Sequence, residues 1–307
     1  MVISRIQIVI LLLLITQLLI AQDYVDVLKF TYTNTSENNF EKSSISTRVQ
    51  EIYLETTLPL ELNTTTNFVT GFICEKIQTK LFKDGENETF SSISLKIGLN
   101  KIHSEKWSGT YVLLPKIASD FRQITRKDFQ CGGFALLKYK KNEQMSYKVG
   151  LYANSELFGP WFVPLLGLYY ISSDKKFEAN VTLPIMTDAN YVFHKNIAIG
   201  ASFFGQVRTY HLTKITIDGN NGYVHRSTNE LSAYLKFTLT KSLVIQSKVG
   251  RSIGRYYRVY NENDRISFGL PLLYVGDNRE QLNRDFDDGW VYQMMLLYRI
   301  HRNPSKK

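Results

Sequence analysis

The feature that most constrains this chain is a two-residue hydrophobic period carried through segments longer than ordinary sheet strands. In residues 90–99, F-S-S-I-S-L-K-I-G-L, the residues Ile93, Leu95, Ile97 and Leu99 fall on one face, and Ser92, Ser94, Lys96 and Gly98 on the other. Successive strand side chains point to opposite sides, so something apolar must cover the first face. The design recurs. Tyr147, Val149 and Leu151 oppose Lys148 and Gly150; Phe177, Ala179, Val181, Leu183 and Ile185 oppose Lys176, Glu178, Asn180 and Thr182; Leu231, Ala233, Leu235, Phe237 and Leu239 oppose Ser232, Tyr234, Lys236 and Thr238.

Beyond Gln22 no stretch sustains a helical period, and no Pro/Gly/Ser linker or compositional break marks a boundary. Residues 22–307 therefore read as one all-β unit. The pattern divides into about thirteen segments, many of ten residues or more, against a usual ~5–6 for globular strands. A tilted strand that crosses a bilayer needs ~9–11 residues, and single-chain bacterial barrels use an even number of strands. The expectation is a closed antiparallel transmembrane β-barrel of about twelve strands, or fourteen if residues 265–275 supply another. Tight connections such as 239–242 alternate with the long polar segment 261–288, as periplasmic turns and outer loops would.

The N-terminus points the same way. Arg5, the apolar run 6–20 and Ala21 before Gln22-Asp23 form the n-region, h-region and small-residue site of a secretory signal peptide at 1–21. As a helix the run spans ~22 Å, short of a ~30 Å hydrocarbon core, so cleavage is expected over anchoring.

Alternation alone also suits a soluble β-sandwich. Lipid is favoured by Trp107, Trp161 and Trp290 at strand starts, where an aromatic girdle places them, and by Lys96, Lys148, Lys176 and Lys236 on the polar faces, as a wet lumen allows. Those lysines predict an anion-preferring pore, if the barrel conducts. The formal charge is +9, but its cations are dispersed and form no stripe for nucleic acid. Expected partners are outer-membrane lipid, lipopolysaccharide and the barrel-assembly machinery, which reads a C-terminal strand such as the row Trp290, Tyr292, Met294, Leu296, Tyr298 and Ile300. This chain continues past that row to Lys307.

The Ile20-Ala21-Gln22 junction, T-L-P-L at 57–60 with N-F-V-T-G-F at 67–72, and T-L-P-I at 182–185 with N-I-A-I-G-A at 196–201 resemble uncharacterised outer-membrane β-barrel families of Bacteroidetes-type Gram-negative bacteria. The resemblance implies a barrel and an outer-membrane address, and it supplies no catalytic residues.

Strong catalytic motifs are absent: there is no phosphate-binding Gly loop, no H-E-x-x-H and no G-x-S-x-G. The one local candidate is His225, Ser227 and Glu230, a base, a nucleophile and an orienting carboxylate for ester cleavage. It resembles the H-x-S arrangement of outer-membrane lipid A deacylases. Polar rim residues are the plainer reading. No cofactor or metal is expected, since Cys74 and Cys131 are isolated thiols, either free or paired in an exported protein. Sequons at Asn34, Asn63, Asn87 and Asn180 raise a secreted glycoprotein as a rival, although Asn180 lies mid-strand. The resulting expectation is an outer-membrane barrel, acting as a small-solute channel or as a surface, structural or ligand-binding barrel with a filled lumen, with a lipid-modifying esterase as the third reading.

Overall fold

The computed structural model describes residues 24–217 and 220–301; the segment 1–21, expected to be a signal peptide, and the residues after His301 lie outside them. Among the described residues, 14 strands close into an antiparallel barrel. They are β1 (Tyr24–Thr35), β2 (Gln50–Thr56 continued by Leu58–Asn63), β3 (Thr66–Lys80), β4 (Asn87–Ile102), β5 (Trp107–Ser119), β6 (Phe129–Lys140) and β7 (Met145–Glu156). Then come β8 (Gly159–Ile171), β9 (Phe177–Leu183), β10 (Met186–His194), β11 (Ile197–Ile217), β12 (Asn220–Thr238), β13 (Leu243–Ser252 continued by Tyr256–Asn261) and β14 (Trp290–His301). Each pairs with its neighbours in sequence, and β1 joins β14 from Tyr24↔His301 to Thr35↔Val291. Closure leaves no full-length edge for another chain to extend.

Of the expected twelve or fourteen strands, the larger number is found. The additional wall strand is β10, not residues 265–275. An apolar run, Leu183-Pro184-Ile185-Met186, conceals a tight turn in which the Ile185 amide donates to the Thr182 carbonyl at 3.0 Å. Residues Phe268–Leu270 and Leu273–Val275 instead pair as a small hairpin within the 262–289 loop. Cys74 and Cys131 are both free.

Among the described residues, nothing covers the apolar faces. Ile93, Leu95, Ile97 and Leu99 are 40–52% exposed, whereas Ser92, Ser94 and Lys96 are buried. Tyr147, Val149, Leu151, Leu231, Leu235, Phe237, Tyr292, Met294, Tyr298 and Ile300 also face outward. A soluble monomer rarely exposes a contiguous apolar patch beyond a few hundred Å². A belt around a closed barrel fits hydrocarbon, in which strands survive because every backbone group pairs with a neighbour.

Two departures from a plain barrel shape the lumen. The wall is low at β9–β10: the last rungs are Leu166↔Leu183 and Met186↔Phe204, so residues 159–165 of β8 have no β9 partner. The small hairpin covers this gap, bridged to β8 at Trp161↔Gly269. Conversely, β11 and β12 run for 21 and 19 residues, well beyond the ~9–11 that a crossing requires. Their surplus turns inward. His211 of β11 forms a parallel bridge with Ser119 of β5, a strand well removed from it around the wall.

Candidate functional site: a polar lumen closed by an inward sheet

The inward part of β11 and β12 (205–217 and 220–228), with Tyr256–Asn261 of β13 paired to β12, forms a three-stranded layer inside the barrel. It is buried on both sides. Tyr210, Leu212, Val224, Tyr257 and Val259 pack with Ile77, Leu81, Phe90 and Ala118 of the wall and with Phe40 and Phe286 of the loops. On the other side, Tyr223 and Tyr260 pack with Phe158, Trp161, Val163, Leu165 and Ile266. The alternation that makes a wall strand amphipathic is lost here because neither face meets lipid or open water.

Charged pairs tie the layer to the wall. Glu75 of β3 accepts from Arg208 Nη1 at 2.8 Å, from Arg226 Nη1 at 2.6 Å and from the Tyr210 hydroxyl. Arg226 Nη2 reaches Glu51 of β2 at 2.5 Å, and its Nε donates to the Tyr257 hydroxyl at 3.1 Å. On the opposite wall, Glu156 accepts from the Thr209 amide at 2.8 Å and lies 3.4 Å from Lys116. His211 Nδ1 meets Asp128 Oδ1 at 2.6 Å near the loop end. Two guanidinium groups against two carboxylates cancel in charge, and in a water-poor interior such pairs hold only when all partners are present.

Where this layer ends, toward the end that carries Tyr24 and His301, lies a cavity of about 340 Å³. Its lining includes Asp26, Glu51, Glu75, Glu178, Asp188 and Glu230 against Lys29, Lys236, Lys248 and Arg299. The expected field of one sign is therefore corrected to a mixed one. Tyr234 lies across Gly200, where an added Cβ would come within 2.3 Å of the ring, and its hydroxyl donates to Asp188 at 2.9 Å. Lys248 donates to Ser202 Oγ at 3.1 Å.

Of the lysines expected in the lumen, Lys236 lines the cavity. Lys96 faces inward but pairs with Glu55 and Thr57, and Lys148 with Asn180 and Thr182. Lys176 is corrected: it stands exposed in the turn before β9, its amide donating to Asp174 at 3.1 Å. Trp107 and Trp290 are exposed at opposite ends of the wall. Trp161, expected in the girdle, is buried inside instead, stacked on Tyr274 with centroids 5.6 Å apart.

His225, Ser227 and Glu230 do not assemble. His225 Nε2 faces the Tyr256 and Tyr274 hydroxyls at 3.3 and 3.4 Å, and its Nδ1 faces Arg279. Glu230 lines the cavity and accepts from Gln293 at 3.0 Å. No cluster of metal-ligating side chains occurs among the described residues. Glu51, Glu75, Arg208 and Arg226 escaped the sequence reading; the available signal was the excess length of β11 and β12, in which Arg208 and Arg226 stand opposite each other.

Comparison with known proteins gives one family and a set of distant folds. A family profile described as Domain of unknown function (DUF6268) matches residues 14–266. No curated protein matches. Among solved structures, the COG4313 outer membrane channel from Pseudomonas putida F1 is similar at 8% identity and a TM-score of 0.46, over 92% of this chain and 97% of that one. The P. putida toluene transporter TodX aligns at 8% identity and TM-score 0.39 over 91% of each chain. A Pseudomonas aeruginosa FadL homologue aligns at 10% identity and TM-score 0.40 over 90% of each.

Proposed function

We propose that this chain, which belongs to the family described as Domain of unknown function (DUF6268), is an outer-membrane channel for small polar solutes whose resting state is closed by its own inward sheet. The observation that carries this reading is the three-stranded layer, buried on both faces, that ends an otherwise polar lumen. With the chain ends in the periplasm, the cavity opens toward that side and the layer guards the outer side. The apolar rows meet outer-membrane lipid and lipopolysaccharide, and export by the N-terminal signal delivers the chain to the barrel-assembly machinery. The mixed-sign lining suits zwitterionic or neutral polar solutes better than a selected anion.

A filled, ligand-binding barrel is the second reading, favoured by the cavity ending at the Glu75 cluster. Liposome swelling separates the two. Wild-type protein should admit small sugars slowly, and Arg208→Ala/Arg226→Ala should admit them at least tenfold faster. A folded double variant that remains impermeable would overturn the channel in favour of the filled barrel.

A further inference from the structure

A second site lies beyond the inward sheet, on the side facing the long loop, and the channel reading does not use it. Arg279, from the 262–289 loop, enters a box of rings with only 2% of its side chain exposed. Its guanidinium carbon lies 4.3 Å from the Tyr260 ring centroid, 5.3 Å from that of Phe158 and 5.7 Å from that of Tyr274. Nη1 donates to the Tyr223 hydroxyl at 3.2 Å and faces His225 Nδ1 at 3.3 Å. Cations bind aromatic faces through the ring quadrupole, most strongly where water is excluded.

The hydrogen bonding is arranged for a cation whichever group brings it. The Tyr223 hydroxyl spends its proton on the Asp264 carbonyl at 2.9 Å, leaving lone pairs toward the guanidinium. With His225 Nδ1 facing a donor, its proton belongs on Nε2, toward the Tyr256 and Tyr274 hydroxyls. The box also holds itself together without Arg279: Tyr256 and Tyr274 share a hydrogen bond of 3.0 Å, and Trp161 stacks on Tyr274.

The counter-charge, by contrast, comes from the loop. Asp277 accepts from Arg279 Nε and Nη2, both at 2.8 Å, and this pairing holds its carboxyl below the usual aspartate range. Among the described residues, Arg279 has no other ion-pair partner. The loop is fastened on either side, by the Ser267 amide on the Val275 carbonyl and by the Leu282 amide on the Val259 carbonyl, both at 2.9 Å. Between these points, among the described residues, 276–280 hydrogen-bond to the rest of the fold through Arg279 alone. An Arg279 that leaves takes its carboxylate with it, so the box is left with no unpaired charge.

We propose that the box of Phe158, Tyr223, His225, Tyr260 and Tyr274 is a binding site for guanidinium or ammonium cations arriving from the loop side, with Arg279 as its tethered, displaceable occupant. The test uses the full barrel refolded in detergent, with Trp107→Phe and Trp290→Phe so that Trp161 reports alone. Ethylguanidinium, with neutral ethylurea as control, is titrated at constant ionic strength into proteins whose folding is verified by heat-modifiable migration. Arg279→Ala should show a saturable Trp161 response to ethylguanidinium, at least tenfold weaker after Tyr260→Leu and absent with ethylurea. The parent barrel should respond at concentrations at least tenfold higher, and Asp277→Asn, which keeps the arginine but removes its anchor, should fall between. No response in folded Arg279→Ala, an equal response to ethylurea, or a parent and Asp277→Asn that never respond would each refute an exchangeable cation site.

Discussion

Arg226 and Glu75 meet at 2.6 Å although they are 151 positions apart in sequence, and their contact joins the inward sheet to the barrel wall. Both side chains are essentially buried. Removing one partner strands the other, and because Arg208 also bonds Glu75 and Glu51 also bonds Arg226, only removal of all four leaves an apolar contact. Glu75→Gln, which leaves Arg208 and Arg226 facing no full charge on β3, should cost ~3–5 kcal/mol in urea unfolding of the detergent-refolded barrel. Replacing Glu51, Glu75, Arg208 and Arg226 together by Met, which removes the whole charged cluster, should cost less than Glu75→Gln. A single variant as stable as the parent would show that the pair is not sealed from water.

The outward rows make a separate prediction. Leu95→Arg, on the exposed face of β4, should cost ~2–4 kcal/mol if it lies near the bilayer midplane, and should lower assembly into membranes. Lys96→Met on the opposite face removes a partner from Glu55, which keeps Lys29 at 3.9 Å; the expected cost is ~1–3 kcal/mol. Leu95→Arg assembling as well as the parent would contradict the lipid-facing assignment.

Gly200 is needed for its absent side chain. A Cβ there would displace the Tyr234 ring, breaking the hydroxyl contact with Asp188. Gly200→Val should therefore lose at least as much stability as Tyr234→Phe, itself ~0.5–1.5 kcal/mol. Thermal denaturation of both variants checks the order, and a Gly200→Val more stable than Tyr234→Phe would contradict it.

Asp277 sets a pH dependence for the loop. Its carboxyl is lowered chiefly by the hydrogen bonds from Arg279, against a smaller opposing effect of burial. A lowered carboxylate contributes stability that is present above its unfolded value, about pH 4, and that is lost as pH falls through its folded value. Trp161 fluorescence should change below about pH 4 as the arginine loosens from Tyr223, His225, Tyr260 and Tyr274, and Asp277→Asn should abolish that transition. A transition unchanged in Asp277→Asn would assign it to another group.

What the sequence made legible follows the reach of its signals. Period two identifies which side chains of β4, β7 and β12 face lipid, because that property is local to each strand. It misses the turn between β9 and β10, since Leu183, Ile185 and Met186 continue the apolar run and only Pro184 punctuates it. It misplaces Trp161 because residues 160–166, P-W-F-V-P-L-L, are apolar on both faces. The inside there is packed against the small hairpin and Tyr274, so alternation carries no sense of in or out. Lys176 lies in the turn before Phe177, where the parity of β9 no longer says which way a side chain faces. The Glu75 cluster depends on β2, β3, β11 and β12 converging, and no local pattern encodes that convergence.

The closed state itself is tested most directly by locking it. His211 of the inward sheet and Ser119 of the wall are bridge partners, a spacing within the Cα range that a disulfide spans. Ser119→Cys/His211→Cys, in a background with Cys74→Ser and Cys131→Ser, should be silent in planar-bilayer recordings when oxidised and should open on reduction. Identical conductance in the oxidised and reduced barrel, or a steadily open wild type, would contradict the inward sheet as the gate.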